Sequence, residues 1–285
     1  MFRKTFLSFA AGLLLAAAAQ AQTVDEIIAK NVQARGGLEK LKGVQSIRFT
    51  GKMTVGPGIE APVTLELKRP KNLRMEFTFQ GMTAIQGYDG KDGWMIMPFR
   101  GTKTPEPMAA DDLKEADEQA DIDGPLVDYK AKGHTVELVG KDKVEGADAY
   151  KIKVTLKNGD VIHFFIDSDA FLDVKAESKR MIRGSEVEAE TSFSDYKEVG
   201  GLVYPHAIEA GPKGSAQKQK ITIEKVEINP VLDEARFKMP KVEEAKPDAA
   251  KPEPAKPAAP KKEEPKKEEP KKPEPKPTPT PKPRG

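Results

Sequence analysis

The sequence predicts a mainly β (α+β) protein built on one large curved antiparallel sheet of about 11 strands. Three observations predict it. From residue 45 onward, apolar and polar residues alternate in short runs, the period of half-buried strands. The runs are separated by turn clusters such as Asp89-Gly90-Lys91-Asp92-Gly93, Glu145-Gly146, Asn158-Gly159 and Gly200-Gly201, which join neighbouring antiparallel strands. One amphipathic helix at the start and one helical insertion are the only departures from this rhythm, so the strands are expected to share a single sheet.

Taken in order, residues 1–21 read as a cleaved secretory signal. Arg3 and Lys4 precede an apolar run from Phe6 to Ala19, and Ala19-Gln20-Ala21 closes it, the three parts of such a peptide. Its ~14 apolar residues would reach about 21 Å as a helix, short of the ~30 Å hydrocarbon core, which argues against a permanent span. In the body, residues 22–241, Thr23 and Glu26 form a capping box. Val24, Ile27, Ile28 and Val32 then make a helical stripe, Gly36-Gly37 stops it, and Leu38 to Lys42 adds a further turn of helix.

Ile47, Phe49, Met53 and Val55 open the strand pattern, Val63, Leu65 and Leu67 continue it to Arg69-Pro70, and Leu73, Met75, Phe77 and Phe79 give its clearest alternation. Trp94 to Met97 is a short strand, apolar on both faces and ended by Pro98. After Thr104-Pro105-Glu106-Pro107, an acidic helical stretch runs from Met108 to Ile122 and ends at Gly124-Pro125. Strands resume at 135–139, 149–156, 161–167, 172–178, 187–196, 202–208 and 219–228. Residues 242–285 hold 13 of the chain's 24 prolines and no aromatic residue. Such a Lys/Pro/Glu tail cannot bury apolar area to offset its ordering entropy and is expected to stay unfolded.

Charge and composition exclude several classes. The net charge is +2, while the tail alone carries 12 basic and 9 acidic residues. The body is therefore slightly acidic, unlike a nucleic-acid binder. Cysteine is absent, so no disulfide, thiolate nucleophile, sulfur-ligated metal or acylated cysteine is expected. His134, His163 and His206 fall in separate strands or at their edges, without the spacing of a metal site. No nucleophile elbow, phosphate loop or dinucleotide fingerprint occurs. The reading is of a non-enzyme with no metal and no cofactor.

What remains is apolar surface. A strand greasy on both sides must be covered on both sides. Either the wall containing Phe49, Leu65, Leu67, Met75, Phe77, Phe79, Trp94 and Ile96 is an ordinary core under the N-terminal helix, or it lines a cavity for acyl chains, with Met supplying adaptable packing.

An ordered set of short motifs resembles the outer-membrane lipoprotein-sorting family, the LolA/LolB-like periplasmic carriers. It comprises Ala34-Arg35-Gly36-Gly37 with Leu38-Glu39-Lys40-Leu41, Ile47 to Gly51, Tyr88-Asp89-Gly90 with Gly93-Trp94, and Phe165-Ile166-Asp167. It continues with Phe193-Ser194-Asp195-Tyr196, Gly201-Leu202-Val203-Tyr204-Pro205, Ile228-Asn229 and Phe237-Lys238-Met239-Pro240. The resemblance covers about residues 23–240. It implies an incomplete β-barrel, or half-barrel, whose apolar concave face holds lipoprotein acyl chains or other lipids, under a lid that includes Met108, Leu113 and Ile122. It also implies a monomer in the periplasm, not membrane-spanning once the signal is cleaved, with inner- and outer-membrane sorting components as further partners. No functional arginine is carried over. The alternative function is a non-catalytic envelope sensor or scaffold using the same fold for protein–protein contact.

Overall fold

The computed structural model describes residues 22–182 and 184–241. The signal and tail readings, residues 1–21 and 242–285, fall outside the described residues. Helix α1 (Val24–Ala34) begins at the capping box, the Thr23 side chain accepting from the Glu26 amide while Glu26 accepts from the Thr23 amide. Ile27 and Ile28 are buried, and so is Asn31, a polar residue on the same side. Helix α2 (Leu38–Gly43) follows after Gly36-Gly37.

The sheet has thirteen strands, two more than the alternation predicts. They are β1 (Ser46–Gly56), β2 (Ile59–Lys68), β3 (Asn72–Phe79), β4 (Met82–Tyr88), β5 (Gly93–Ile96), β6 (Glu106–Pro107), β7 (Thr135–Val144), β8 (Ala147–Thr155), β9 (Val161–Asp167), β10 (Asp173–Ile182), β11 (Ser185–Val199), β12 (Leu202–Pro212) and β13 (Gln219–Ile228). The additions are β4 and β6. Gln86-Gly87 interrupts the apolar alternation of β4, and β6 is two residues long with a proline. All pairings are antiparallel, in the order β6-β5-β4-β3-β2-β1-β13-β12-β11-β10-β9-β8-β7. One meander runs outward from β1 to β6. Residues 108–134 then cross to the far edge, and a second meander returns to lay β13 against β1. The edges β6 and β7 do not pair, so the sheet is open.

The crossover carries helix α3 (Ala110–Gln119), and its contacts show how far the sheet bends. On a flat sheet β4 and β10, seven positions apart, would lie roughly 34 Å from each other. Yet two adjacent residues of α3 reach both. Asp117 accepts from the Tyr88 hydroxyl of β4 at 2.8 Å, and Glu118 meets Arg180 of β10 at 2.7 Å. Helix α3 is thus a strut across the concave face. Lys71–Asp117 at 2.7 Å and Lys114–Asp160 at 2.6 Å reinforce it.

Over the first arm the convex face is covered by residues 229–240. Phe237 is fully buried, and its carbonyl accepts from the Trp94 indole N–H at 2.8 Å. Beside it, the buried Glu66 pairs with Arg48 at 2.8 Å and with Arg236 of the covering segment at 3.0 Å. A buried carboxylate is stable only with such partners. No helix among the described residues is long and apolar enough to cross a membrane.

Candidate functional site

Strand register defines the concave wall. Ile47 faces Leu67 and Ile228, Phe49 faces Leu65 and Val226, and Leu73, Met75 and Phe77 face Leu67, Leu65 and Val63. On the second arm Ile152 faces Phe164, Phe164 faces Ala176, and Phe193 faces Ile208. Leu41, Val44, Ala116 and Ala120 of the helices pack on the first arm, and Ile27 and Ile28 on the second. The wall is apolar because each strand keeps its hydrophobic parity inward, where α1, α2 and α3 exclude water.

Beyond α3, the crossover is pinned to α2 and the end of β2 by one buried carboxylate. Asp123, whose side chain is 3% exposed, receives Arg69 Nη2 at 2.6 Å, Arg69 Nη1 at 3.0 Å and Lys42 Nζ at 2.8 Å. The same guanidinium donates to the carbonyls of Val44 at 2.7 Å and Leu41 at 3.2 Å, occupying acceptors freed at the end of α2. Burial alone would push the Asp123 carboxyl up. The Arg69 and Lys42 hydrogen bonds and charges outweigh it and hold the pKa down at about 2. Lys42 also reaches Asp128 at 2.6 Å.

Just beyond Asp123, residues 124–131 wall two hollows. A cavity of about 160 Å³ lies between Pro125-Leu126 and the second arm, lined by Phe164, Phe193, Tyr196 and Tyr204, with Arg35 and Asp173 as its charged members. A more open groove of about 510 Å³ lies on the other side of Leu126, between Ile28, Val32 and Leu38 and residues 127–131. Arg35 caps α1 and is fixed by its backbone, the carbonyl accepting from the Val203 amide at 3.1 Å. Its side chain donates to the Asp123 carbonyl at 3.3 Å. Tyr196 donates to the Asp173 carbonyl, and burial pushes the Tyr204 hydroxyl up to about 12.

Burial also pushes the Asp173 carboxyl up, although Arg35 and a hydrogen bond from Asn31 partly oppose it. A carboxyl raised on folding contributes stability below its ordinary pKa of 3.8 and loses it as pH rises through the folded value. Asp173→Asn is therefore expected to raise the melting temperature by a few degrees at neutral pH, about 1 kcal/mol being worth ~2–4 °C at this size. The gain should vanish near pH 3 in calorimetry.

The sequence-predicted wall residues divide by face. Phe49, Leu65, Leu67, Met75, Phe77 and Phe79 lie together on the concave face of β1–β3. Phe49 meets Tyr204 edge-on at 5.6 Å, and Phe99 stacks on Phe77 at 5.6 Å. None of the six lines either hollow. Trp94 and Ile96 are corrected: they sit on the convex face, across from Gly87 and Ile85, and Trp94 is 1% exposed beneath Phe237. Met108, Leu113 and Ile122 pack onto the concave core. Gly93 makes room for two of them, since a Cβ there would meet Met108 Sδ at 2.6 Å and Leu113 Cδ1 at 2.8 Å. Sequence reasoning missed Arg35, Arg69, Asp123, Phe164 and Phe193 as site residues. Single charges at element ends carry no periodic signal; only the alternation Phe164–Ile166 in β9 and Phe193 within the β11 pattern could have flagged the second arm.

An open, curved antiparallel sheet with few helices is the fold that this chain shares with solved outer-membrane lipoprotein-sorting structures. Among solved structures the chain is similar to a DUF1329 family protein from Desulfovibrio piger (TM-score 0.52, 13% identity, 75% of this chain and 97% of that one). It is also similar to a putative outer membrane lipoprotein-sorting protein domain from Vibrio parahaemolyticus (TM-score 0.51, 13% identity, 74% and 94%). A LolA superfamily protein from Nitrosomonas europaea superposes with a TM-score of 0.48 at 14% identity over 76% and 98% of the two chains. At these identities the likeness is one of fold. No protein-family model and no curated protein sequence matches the chain.

Proposed function

We propose that the protein is a periplasmic carrier that holds lipoprotein acyl chains or another lipid under the crossover, for delivery towards the outer membrane. The observation behind this reading is the pair of hollows on either side of Leu126, walled by one segment that polar contacts hold shut, the most buried of them Arg69–Asp123. Apolar hollows closed by a releasable polar contact suit a guest that must enter and leave; a core serving only stability would gain from filling them. The charged groups around the hollows join elements of the fold, so no catalytic role is assigned to them. The N-terminal segment, read as a secretory signal, supplies the export route.

Native mass spectrometry of gently purified protein is expected to show a bound lipid. Phe193→Asp, which places a charge in the cavity wall, is expected to remove that adduct while far-ultraviolet circular dichroism stays native. A uniformly ligand-free wild-type protein would sink the carrier reading.

A further inference from the structure

We propose that Arg35 anchors the headgroup of the ligand, and that the ligand is a single-chain amphiphile ending in a carboxylate, of the fatty-acid class. The inference rests on the carrier reading and adds to it a ligand chemistry and a named contact.

Among the described residues, Arg35 is a half-buried arginine that makes no ion pair within 4 Å, although its charge acts on the nearby Asp173 carboxyl. Among the described residues, the other half-buried arginines each reach a carboxylate: Arg48 to Glu66, Arg69 to Asp123, Arg74 to Glu76 and Arg180 to Glu118. Arg35 alone of this set has none, and its one side-chain hydrogen bond is to a backbone carbonyl at 3.3 Å. Desolvating a charge without a partner is costly, so a partner arriving with the guest would gain what the empty cavity lacks. Asp173 lines the same cavity, but it forms no ion pair within 4 Å with Arg35, and burial pushes its carboxyl up against the opposing Arg35 charge. The Tyr204 hydroxyl has no hydrogen-bond partner among the described residues and adds a second donor beside Phe164 and Phe193.

Size narrows the ligand. The cavity of about 160 Å³ falls below the ~300 Å³ lower bound for a drug-sized guest. It therefore takes a small headgroup and the first few carbons. A carboxylate meets both needs, because the guanidinium fork grips it through two parallel hydrogen bonds. The remaining chain then passes Leu126, which lines both hollows, into the groove of about 510 Å³. The small volume of the cavity, about 160 Å³, favours a single acyl tail over a branched or two-chain lipid.

The test uses the full chain and displacement of the neutral fluorophore N-phenyl-1-naphthylamine by palmitate or by methyl palmitate, two ligands with the same tail. Palmitate is expected to displace the probe at a concentration ten- to hundred-fold lower than the ester, the range for a charge-assisted hydrogen bond. Arg35→Gln should weaken palmitate to the level of the ester and leave the ester unchanged, and Arg35→Lys should restore part of the difference. Circular dichroism should show both variants folded, since the side chain makes only one weak contact. Equal displacement by palmitate and ester in the wild type, or an undiminished preference in Arg35→Gln, overturns the anchor while leaving the carrier reading standing. If neither ligand nor probe binds, the carrier reading fails and takes the anchor with it.

Discussion

Asp123→Ala is expected to destabilise the protein by about 3–5 kcal/mol, the cost of removing one partner from a buried ion pair, and to lower its melting temperature by roughly 10 °C. The loss exceeds that of a surface pair because two cations converge on this carboxylate. Arg69 and Lys42 would be left facing each other without the anion that joins them. Arg69 would keep its bonds to the Leu41 and Val44 carbonyls, so α2 should stay in place and the crossover should be the element released. Hydrogen exchange is expected to rise in residues 109–131 while β1 and β13 keep their protection. Uniform loss of protection would show that Asp123 serves global stability and latches nothing. The pH dependence follows from a carboxyl held down at about 2 against an ordinary 3.8. A depressed carboxyl contributes stability above the ordinary value and loses it as pH falls through the folded one. The difference in stability between wild type and Asp123→Asn should therefore be constant from neutrality to about pH 4 and shrink towards pH 2.

Neither Arg69 nor Asp123 could have been nominated from the sequence, and the reason is physical. Arg69-Pro70 reads as the end of a strand and Asp123-Gly124-Pro125 as the end of a helix. Their partnership exists only because the crossover returns over α2, 54 positions along the chain. Features set by neighbours in sequence were legible: the capping box of α1, the alternation of β1 to β3, and the Gly-containing turns. Strand β4 was not, because Gly87 breaks its pattern for a reason found in the next strand. The Trp94 ring lies where a Cβ would stand, at 2.3 Å. Trp94 itself shows the same limit. A strand apolar on both faces requires two covers, and alternation cannot say which side belongs to the helices. The second cover, Phe237, lies 143 residues further on. The wall residues of β1–β3 share one face, but the hollows lie against the other arm, where Phe193 stands among serine, threonine and aspartate and Phe164 sits in a run apolar on both faces.

The sheet's centre carries the remaining large effect, and it falls on Gly51. Strand β1 pairs with β13 and joins the two meanders, so the fold closes where residues some 170 positions apart meet. The register shifts between Thr50 and Gly51, a bulge that lets the paired strands bend sharply. There the backbones approach so closely that a Cβ on Gly51 would stand 2.0 Å from the Thr222 carbonyl oxygen and 2.9 Å from its carbon. Both atoms are main chain and cannot rotate away. Gly51→Ala must therefore either push β13 off β1 or flatten the bulge, and a loss of about 2–4 kcal/mol is expected, in the range of severe steric substitutions. Gly56→Ala supplies the control on the same strand, because a Cβ there meets nothing nearer than Ile59 Cδ1 at 3.7 Å. It should change stability by no more than about 0.5 kcal/mol, or raise it slightly by restricting the unfolded chain. Equal denaturation midpoints for the two variants would mean that the bulge is not what holds the arms at their angle, and the curvature would have to come from the strut of α3 alone.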